Sequence, residues 1–294
     1  MFETIIGAFL YAIVLASIYS LATMGLNLIF GVMKIVNFAH ADFLTFGGYI
    51  AYWSWALLSF NPITSIPISA LIGFIAGLSI FNVLIRKLIQ TSSESTIIVT
   101  FSLGLVFQES MKTLWTADYR GTPWTLGNIS FLSVSIPVTY IIVTLTGIIG
   151  IFCMYTILYK TYFGKSLRAI ICNSDAAAIC GVRVMHTLAL GFALGITTAF
   201  IAGNLLIIYA PISLHPYMGR EYMLKCLMIS ILGGLGNPWG ALIGSLIFAL
   251  FEHFLPLVLS CIPGIEPFST TLFFAFVAFL VVLLVRPRGV LGGQ

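Results

Sequence analysis

Residues 6–30 read IGAFLYAIVLASIYSLATMGLNLIF, an uninterrupted apolar run that contains no charged side chain. A helix needs about 20 apolar residues to cross the hydrocarbon core of a bilayer, so this run is long enough to span it. The run is also too long for the apolar core of a signal peptide, and Glu3 precedes it where such a peptide carries basic residues. We therefore predict a transmembrane helix here.

The remainder of the chain continues this apolar pattern over most of its length. Of its 294 residues, 60% are hydrophobic and 7% are charged, whereas about 25% of the residues in a soluble domain are charged. Further runs of spanning length occupy 66–85, 95–114, 136–159, 187–209 and 269–285, and 41–60 is another candidate. We predict an all-α, polytopic transmembrane helical bundle with about eight membrane segments, some discontinuous, in a single domain over residues 1–294.

The distribution of basic residues predicts which segments face the cytoplasm, because cytoplasmic loops are enriched in Lys and Arg. The polar segment 160–186 contains a single acidic residue, Asp175, among several basic ones. The basic residues are Lys160, Lys165, Arg168 and Arg183, and Arg286 and Arg288 follow the last apolar run. We expect segment 160–186 and the C-terminus on the cytoplasmic side of a cell membrane, and 115–135 outside. The side of the N-terminus stays open.

Two polar interruptions fall inside apolar stretches, one at 31–42 and one at 233–240. Their polar and turn-forming residues are Asn37, His40, Asp42, Gly236, Asn237 and Pro238. Irregular backbone is tolerated at membrane depth only where protein or water surrounds it, and paired interruptions point to a translocation path. We predict that these residues form part of a path and its gate, although both segments also fit polar turns at the membrane interface. Residues 222–256 fit one broken span, two spans or a re-entrant hairpin.

A short helix is predicted within segment 160–186, at about residues 173–180. Asp175 suits the first turn of a helix, a run of alanines follows it, and Gly181 suits the end of the helix. A short helix with small side chains and basic flanks outside the membrane is typical of a surface that docks into another protein. It is equally typical of a helix that only closes a loop.

Sequence signatures of catalysis do not occur, and we predict that the chain is not an enzyme. Gly164-Lys165-Ser166 imitates the end of a phosphate-binding loop, but Tyr159 stands where that loop requires glycine. The five cysteines show no CxxC spacing and fit apolar filler roles better than a disulfide frame or a metal site. A net charge of +4 is too small to suggest nucleic acid as a partner. We expect no cofactor and no bound metal.

Four stretches carry a more specific signal, and they occur in order along nearly the whole chain. They are GLNLIFGVMKIVNFAHADFL at 25–44, DAAAICGV at 175–182, LGGLGNPWGALIG at 232–244 and RPRGVLG at 286–292. Together they resemble the branched-chain amino acid ABC-importer permease family of the LivH type. The chain departs from the usual pattern at Ala41, where the family has glycine, and at Asp175, where glutamate is usual.

The resemblance implies a permease subunit that works with a second permease subunit, two ATP-binding subunits and an extracytoplasmic solute-binding protein. It implies that Asp175, Ala176, Ala177 and Gly181 belong to a coupling helix that rests on an ATP-binding subunit. Branched-chain or related amino acids are the expected substrates, with urea or short amides as an alternative. A self-sufficient secondary carrier or channel is a further alternative, which the scarcity of ionisable residues in mid-helix disfavours.

Overall fold

The computed structural model describes residues 2–89, 93–131, 134–260, 266–285 and 289. Within these ranges the chain is mostly helical. The helices are α1 (Phe2–Met33), α2 (His40–Leu58), α3 (Ile66–Ile80), α4 (Arg86–Leu88), α5 (Ser93–Trp115), α6 (Val138–Lys160), α7 (Tyr162–Cys172), α8 (Ser174–Ile179), α9 (Val184–Tyr209), α10 (Met218–Gly233), α11 (Pro238–Leu259) and α12 (Pro267–Val285). A π-helical segment, Phe81–Ile85, joins α3 to α4.

Six helical stretches in the described part of the chain are long and apolar enough to cross a membrane. They are Glu3–Met33, Ile66–Leu88, Glu94–Trp115, Val138–Lys160, Val184–Tyr209 and Pro238–Leu259. A shorter apolar helix, Thr270–Val285, follows them. The prediction of a polytopic transmembrane helical bundle is confirmed. Arg286 and Arg288, on which the predicted orientation of the C-terminus partly rests, lie outside the described residues.

Helices α1 and α9 form the centre of the bundle. Most side chains along both are buried, whereas α3, α5 and α6 expose most of theirs at the periphery. The backbones at the centre are in close contact: a Cβ atom added at Gly25 would overlap the backbone of Gly195, and one at Gly203 would overlap that of Leu44. Apolar burial gives no net drive between helices in lipid, so the close approach that small residues allow is what stabilises the bundle.

Within the first predicted interruption, 31–42, the non-helical part is segment 34–39 between α1 and α2, which ends in a turn at 38–39. This segment turns back beside α1, because His40 Nε2 is hydrogen-bonded to the Ala22 carbonyl at 2.9 Å. Ala22 lies eleven residues before Met33 at the end of α1, which corresponds to about 16 Å of helix rise. Helix α2 therefore begins deep inside the bundle, and the predicted discontinuity is present.

The second predicted interruption separates two helices. Helix α10 has 16 residues and α11 has 22, or about 24 Å and 33 Å of helix rise. The two helices pack closely against each other, because a Cβ atom added at Gly233 would overlap the backbone of Gly240. Of the arrangements left open for 222–256, the structure contains a short helix and a full-length helix joined by a tight turn.

A β-hairpin between α5 and α6 departs from the all-α prediction. Strands β1 (Asn128–Phe131) and β2 (Val134–Pro137) pair antiparallel, with Asn128 opposite Pro137 and Ile129 opposite Ile136. Polar and apolar residues alternate along both strands, which is the period of a half-exposed strand. The hairpin lies in segment 115–135 and its flank, for which no strand was predicted, and the alternation is the local sequence signal for it.

The hairpin and the polar segment 160–186 lie at opposite ends of the bundle. At one end, Arg120 and Leu214 form an antiparallel bridge, and the Tyr140 hydroxyl donates to the Tyr209 carbonyl at 3.0 Å. We call this the hairpin end. Helices α7 and α8 follow the other end of α6 and precede the other end of α9. We call residues 162–179 the arm.

Candidate functional site

Asp42, in the first turn of α2, lies in a polar cluster with Gln108, which is buried, and Arg220, which is exposed; neither of these two was a predicted site residue. Gln108 of α5 donates from Nε2 to Asp42 Oδ1 at 2.9 Å, and Arg220 of α10 donates from Nε to Gln108 Oε1 at 2.7 Å. Only 3% of Asp42 is exposed. Glycines at 104 and 219 allow α5 and α10 to approach the carboxylate, because a Cβ atom at either would collide with it. The three polar side chains line a cavity of about 450 Å³.

Asn37 and His40 hold the backbone that leads into α2. The Asn37 carbonyl accepts from the His40 N–H at 3.1 Å, and Asn37 Oδ1 accepts from the Ala39 N–H at 3.2 Å. His40 is fully buried, and its bond to the Ala22 carbonyl fastens the start of α2 to α1. Both side chains therefore fix the start of α2. They thereby position Asp42, which follows His40 by two residues and lines the cavity.

The turn between α10 and α11 packs against the second half of α1. Gly236 has a φ of +81°, a left-handed conformation that glycine adopts without strain. A Cβ atom there would lie 3.0 Å from the Gly31 Cα. The Asn237 side chain caps α11, Pro238 occupies the first helical position, and Asn27 Nδ2 donates to the Asn237 carbonyl at 2.9 Å. Asn27 was not among the predicted site residues, although an amide in the middle of an apolar run is a signal of such a contact.

A second cavity, of about 340 Å³, lies between this turn, α1 and the arm. Gly236, Asn237 and Pro238 line it, and so do Asn27 and Arg168 of α7. The turn is therefore close to the arm and lies at the end of the bundle opposite the hairpin.

The start of α2, after the non-helical segment 34–39, and the turn at 234–237 contact α1 at different levels. Ala22 of α1 bonds to His40, whereas Asn27 and Gly31 of α1 contact the turn at 236–237. These levels are separated by about 8–14 Å of helix rise. Asp42 packs beside the start of α10, and the turn follows the end of α10, so the helix itself separates the two parts of the predicted gate.

A third polar cluster lies where the sequence analysis expected few ionisable residues. Lys225, halfway along α10, forms an ion pair with Glu252 of α11, with Nζ and Oε1 2.6 Å apart. The Tyr19 hydroxyl donates to Glu252 Oε2 at 2.9 Å and accepts from Lys225 Nζ at 3.1 Å. The Lys225 ammonium also lies 5.3 Å from the centre of the Tyr222 ring. A lysine and a glutamate in two consecutive apolar helices are the sequence signal for this pair, and neither residue was a predicted site residue.

The arm contains the predicted short helix. Helix α8 (Ser174–Ile179) is capped by Asn173, whose Oδ1 accepts from the N–H groups of Asp175 and Ala176 at 3.0 and 2.9 Å. Asp175 therefore lies in the first turn, and Gly181 follows the helix with a φ of +85°. Ala177 packs inward, whereas Ala176 is exposed. The arm presents large apolar side chains to solvent, with Tyr162 78% and Ile179 87% exposed.

A helical bundle with interrupted spans, polar clusters between its helices and a helical arm beyond them defines a membrane transport protein. In the part of the chain that the structure describes, no group of three or more His, Cys, Asp or Glu side chains is placed to hold a metal ion. The profile of one family, the permease component of the branched-chain amino acid transport system, matches residues 8–286. The chain belongs to this family. It is an integral membrane permease component and not a member of an enzyme family.

Curated relatives match over nearly the whole chain. The high-affinity branched-chain amino acid transport system permease protein LivH of Salmonella typhimurium is 24% identical over 294 residues, which covers 95% of this chain and 93% of the relative. The corresponding BraD protein of Pseudomonas aeruginosa is 25% identical over 292 residues, with 94% and 92% covered. A probable LivH permease of Methanocaldococcus jannaschii is 26% identical over 290 residues, with 96% and 90% covered. No solved structure matches the chain.

Proposed function

We propose that this permease imports branched-chain or related amino acids, driven by ATP hydrolysis in separate subunits. Its partners are two ATP-binding subunits, a second permease subunit and an extracytoplasmic solute-binding protein, assembled in the bilayer of a cell membrane. Segment 160–186 and the C-terminus face the cytoplasm, and the hairpin end faces outward. The names of the relatives support the substrate class, since LivH and BraD are described as branched-chain amino acid permeases.

The exposed arm is the single observation that carries this proposal. Three large apolar side chains of the arm, Tyr162, Ile171 and Ile179, are exposed, and an exposed apolar patch outside the membrane is typical of a protein interface. Ile179 at the end of α8 has this exposure, and basic residues flank the helix. Asp175, Ala176, Ala177 and Gly181 form the coupling helix in this proposal. The exposed Ala176 admits close contact with the ATP-binding subunit, and Ala177 packs the helix against this chain.

The translocation path in this proposal runs through the cavity beside Asp42 toward the turn at Gly236, Asn237 and Pro238. Asn37 and His40 serve it indirectly, by fixing the start of α2. Polar groups at membrane depth are expensive unless they face protein, water or substrate. Gln108 and Arg220 join Asp42 in this path, because their side chains line the same cavity.

Substitution of Ile179 by glutamate tests the docking role of the arm. A charge in an apolar interface must be desolvated without a partner, so Ile179→Glu is expected to abolish co-purification of the ATP-binding subunits in detergent. Ile212→Glu is the matched control. It changes the same residue type at the hairpin end, where 77% of Ile212 is exposed, and it should leave co-purification intact.

Uptake into proteoliposomes that contain all subunits tests the substrate. We expect ATP-dependent uptake of labelled leucine that unlabelled isoleucine and valine inhibit and that urea and acetamide do not. Uptake of urea or acetamide instead would favour the alternative substrate class. Uptake by the chain alone, without ATP-binding subunits, would favour a self-sufficient carrier.

The docking test with Ile179→Glu also has an outcome that contradicts the proposal. Normal co-purification of the ATP-binding subunits and normal uptake with this variant would exclude the proposed docking role of the arm.

A further inference from the structure

A cavity of about 690 Å³ opens beside the first half of α1 and takes no part in the path proposed above. Its wall follows α1 from Glu3 to Tyr19, a distance of about 24 Å in helix rise. Ser135 of β2 lines the cavity near the hairpin end, and the Lys225–Glu252 pair lines it beside Tyr19. The cavity therefore extends from the hairpin end into the middle of the bundle.

The inner wall of this cavity presents a positive and a negative group side by side. The Lys225 and Glu252 side chains are 15% and 24% exposed, so neither charge is sealed inside protein. Charged groups are costly at membrane depth, and replacing a buried ion pair by apolar residues is often neutral or stabilising. Stability alone therefore does not explain the pair, whereas contact with a charged ligand in the adjoining cavity does.

The remaining wall is mainly apolar. Ala8, Leu15, Val134 and Leu257 line it, together with the ring of Tyr11. Next to the charged pair, Tyr209 and Tyr222 add hydroxyl groups to the wall. The cavity thus combines the Lys225 ammonium, the Glu252 carboxylate beside it and an apolar surface. The Glu3 carboxylate at the far end and the His253 imidazole complete its ionisable groups.

We propose that this cavity binds a zwitterionic, apolar α-amino acid, with its carboxylate on Lys225 and its ammonium group on Glu252. The site rests on the proposed function and adds a binding position for the same substrate class, apart from the Asp42 cavity. A zwitterion replaces one ion pair by two and leaves no charge unpaired. Its branched side chain packs on Leu15 and Leu257. Urea and short amides carry neither charge and are excluded.

Equilibrium binding of labelled L-leucine tests the site. The sample is the complex of this chain with its partner permease and ATP-binding subunits, purified without the solute-binding protein. We expect saturable binding of L-leucine. 3-Methylbutylamine lacks the carboxylate and 4-methylpentanoate lacks the ammonium group, so each should compete at least about tenfold more weakly, since each loses a charge-assisted contact.

Two variants address the site directly. Lys225→Gln combined with Glu252→Gln removes both charges and leaves neither partner unpaired, and it should weaken leucine binding at least about tenfold. The matched control is Glu109→Gln combined with Lys112→Gln, which removes the exposed ion pair of α5 and should leave binding unchanged. Gly7→Phe is independent of charge. A Cβ atom at Gly7 meets its nearest neighbour at 3.7 Å, which is ordinary contact, so the backbone itself does not oppose a side chain there. Because Gly7 lines the cavity, the ring should occupy part of it and abolish binding.

Unchanged leucine binding in the glutamine pair and in Gly7→Phe would overturn the site. If the wild-type complex imports leucine in the presence of its solute-binding protein, the proposed function stands while the site fails. If the wild-type complex imports urea or another solute and not branched-chain amino acids, the proposed function itself fails. Release of bound phosphatidylethanolamine from the glutamine pair, with no competition by leucine, would identify the cavity as a lipid site and also overturn the proposal.

Discussion

Gly236 combines two constraints: a left-handed backbone conformation and close contact with the backbone of α1. A side chain in that conformation costs about 1–2 kcal/mol, and a Cβ atom would in addition lie 3.0 Å from the Gly31 Cα. Gly73 differs, because its backbone is helical and a Cβ atom would press on the buried ring of Phe200. The first position is thus constrained by a turn in the proposed path, and the second by packing.

Gly236→Val should therefore reduce transport much more than it reduces the amount of protein in the membrane. Gly73→Val should lower abundance instead, with transport per molecule retained. Uptake into proteoliposomes, normalised to the amount of incorporated protein, separates the two effects, and we expect a reduction of roughly tenfold for Gly236→Val, given the strain of the left-handed conformation. Normal transport at normal abundance for Gly236→Val would remove the turn from the gate.

At the scale of elements, helix α8 shows how local chemistry sets the ends of a short helix. Asn173 satisfies two N–H groups at its start, and Gly181 reverses the chain after its end. A Cβ atom at Gly181 would meet no other atom within 4 Å, so only the backbone conformation opposes substitution there. The end of α8 can thus be perturbed without disturbing any packed neighbour.

Gly181→Leu should leave the protein in the membrane but uncouple ATP hydrolysis from transport. The strain of about 1–2 kcal/mol favours a different path for the chain after α8, which would reduce the population of the docked arm by roughly 5- to 30-fold. Gly181→Asn is the control, because asparagine tolerates the left-handed conformation better than other residues do. Substrate-stimulated ATPase activity and uptake measure the effect. Equal and normal values for both variants would contradict a coupling role for α8.

At the scale of the whole molecule, the proposed orientation places the hairpin end outside and the arm in the cytoplasm. Both ends carry side chains that a water-soluble reagent can reach: Tyr119 is 69% exposed near the hairpin end, and the native Cys180 is exposed just after α8. A cysteine introduced at Thr122 would report poorly on which side of the membrane the hairpin end lies, because only 1% of Thr122 is exposed.

A membrane-impermeant maleimide tests this orientation in intact cells. Two proteins are compared, each with a single cysteine: one retains only Cys180, and the other carries only Tyr119→Cys. Tyr119→Cys should react in intact cells, and Cys180 should react only after the membrane is permeabilised. The opposite result would invert the topology and would place the arm on the wrong side for ATP-binding subunits.

Local sequence patterns were sufficient to predict the class of the protein, the positions of most spans and the helix in the arm. These features depend on local properties: lipid cannot satisfy backbone polar groups, so a long apolar run must be helical, and caps and glycines end helices within a few residues. The apolar run at 6–30 was therefore sufficient to predict the first transmembrane helix, and the alanine run after Asp175 was sufficient to predict the helix in the arm. The β-hairpin was also local, and it was missed because its strands have only four residues each.

The contacts between polar residues, in contrast, depend on how the helices pack and could not be predicted from local patterns. Asp42 meets Gln108 across 66 positions of the chain, and Tyr19 meets Glu252 across 233. Such contacts depend on how helices cross and how closely their backbones approach, since lipid provides no net apolar drive that would mark the partners in the sequence. The predicted gate residues were recognisable in the sequence as polar interruptions of apolar runs. In the structure, the start of α2 and the turn at 234–237 contact α1 at two different levels. The Lys225–Glu252 pair became visible only when α10 and α11 were packed side by side.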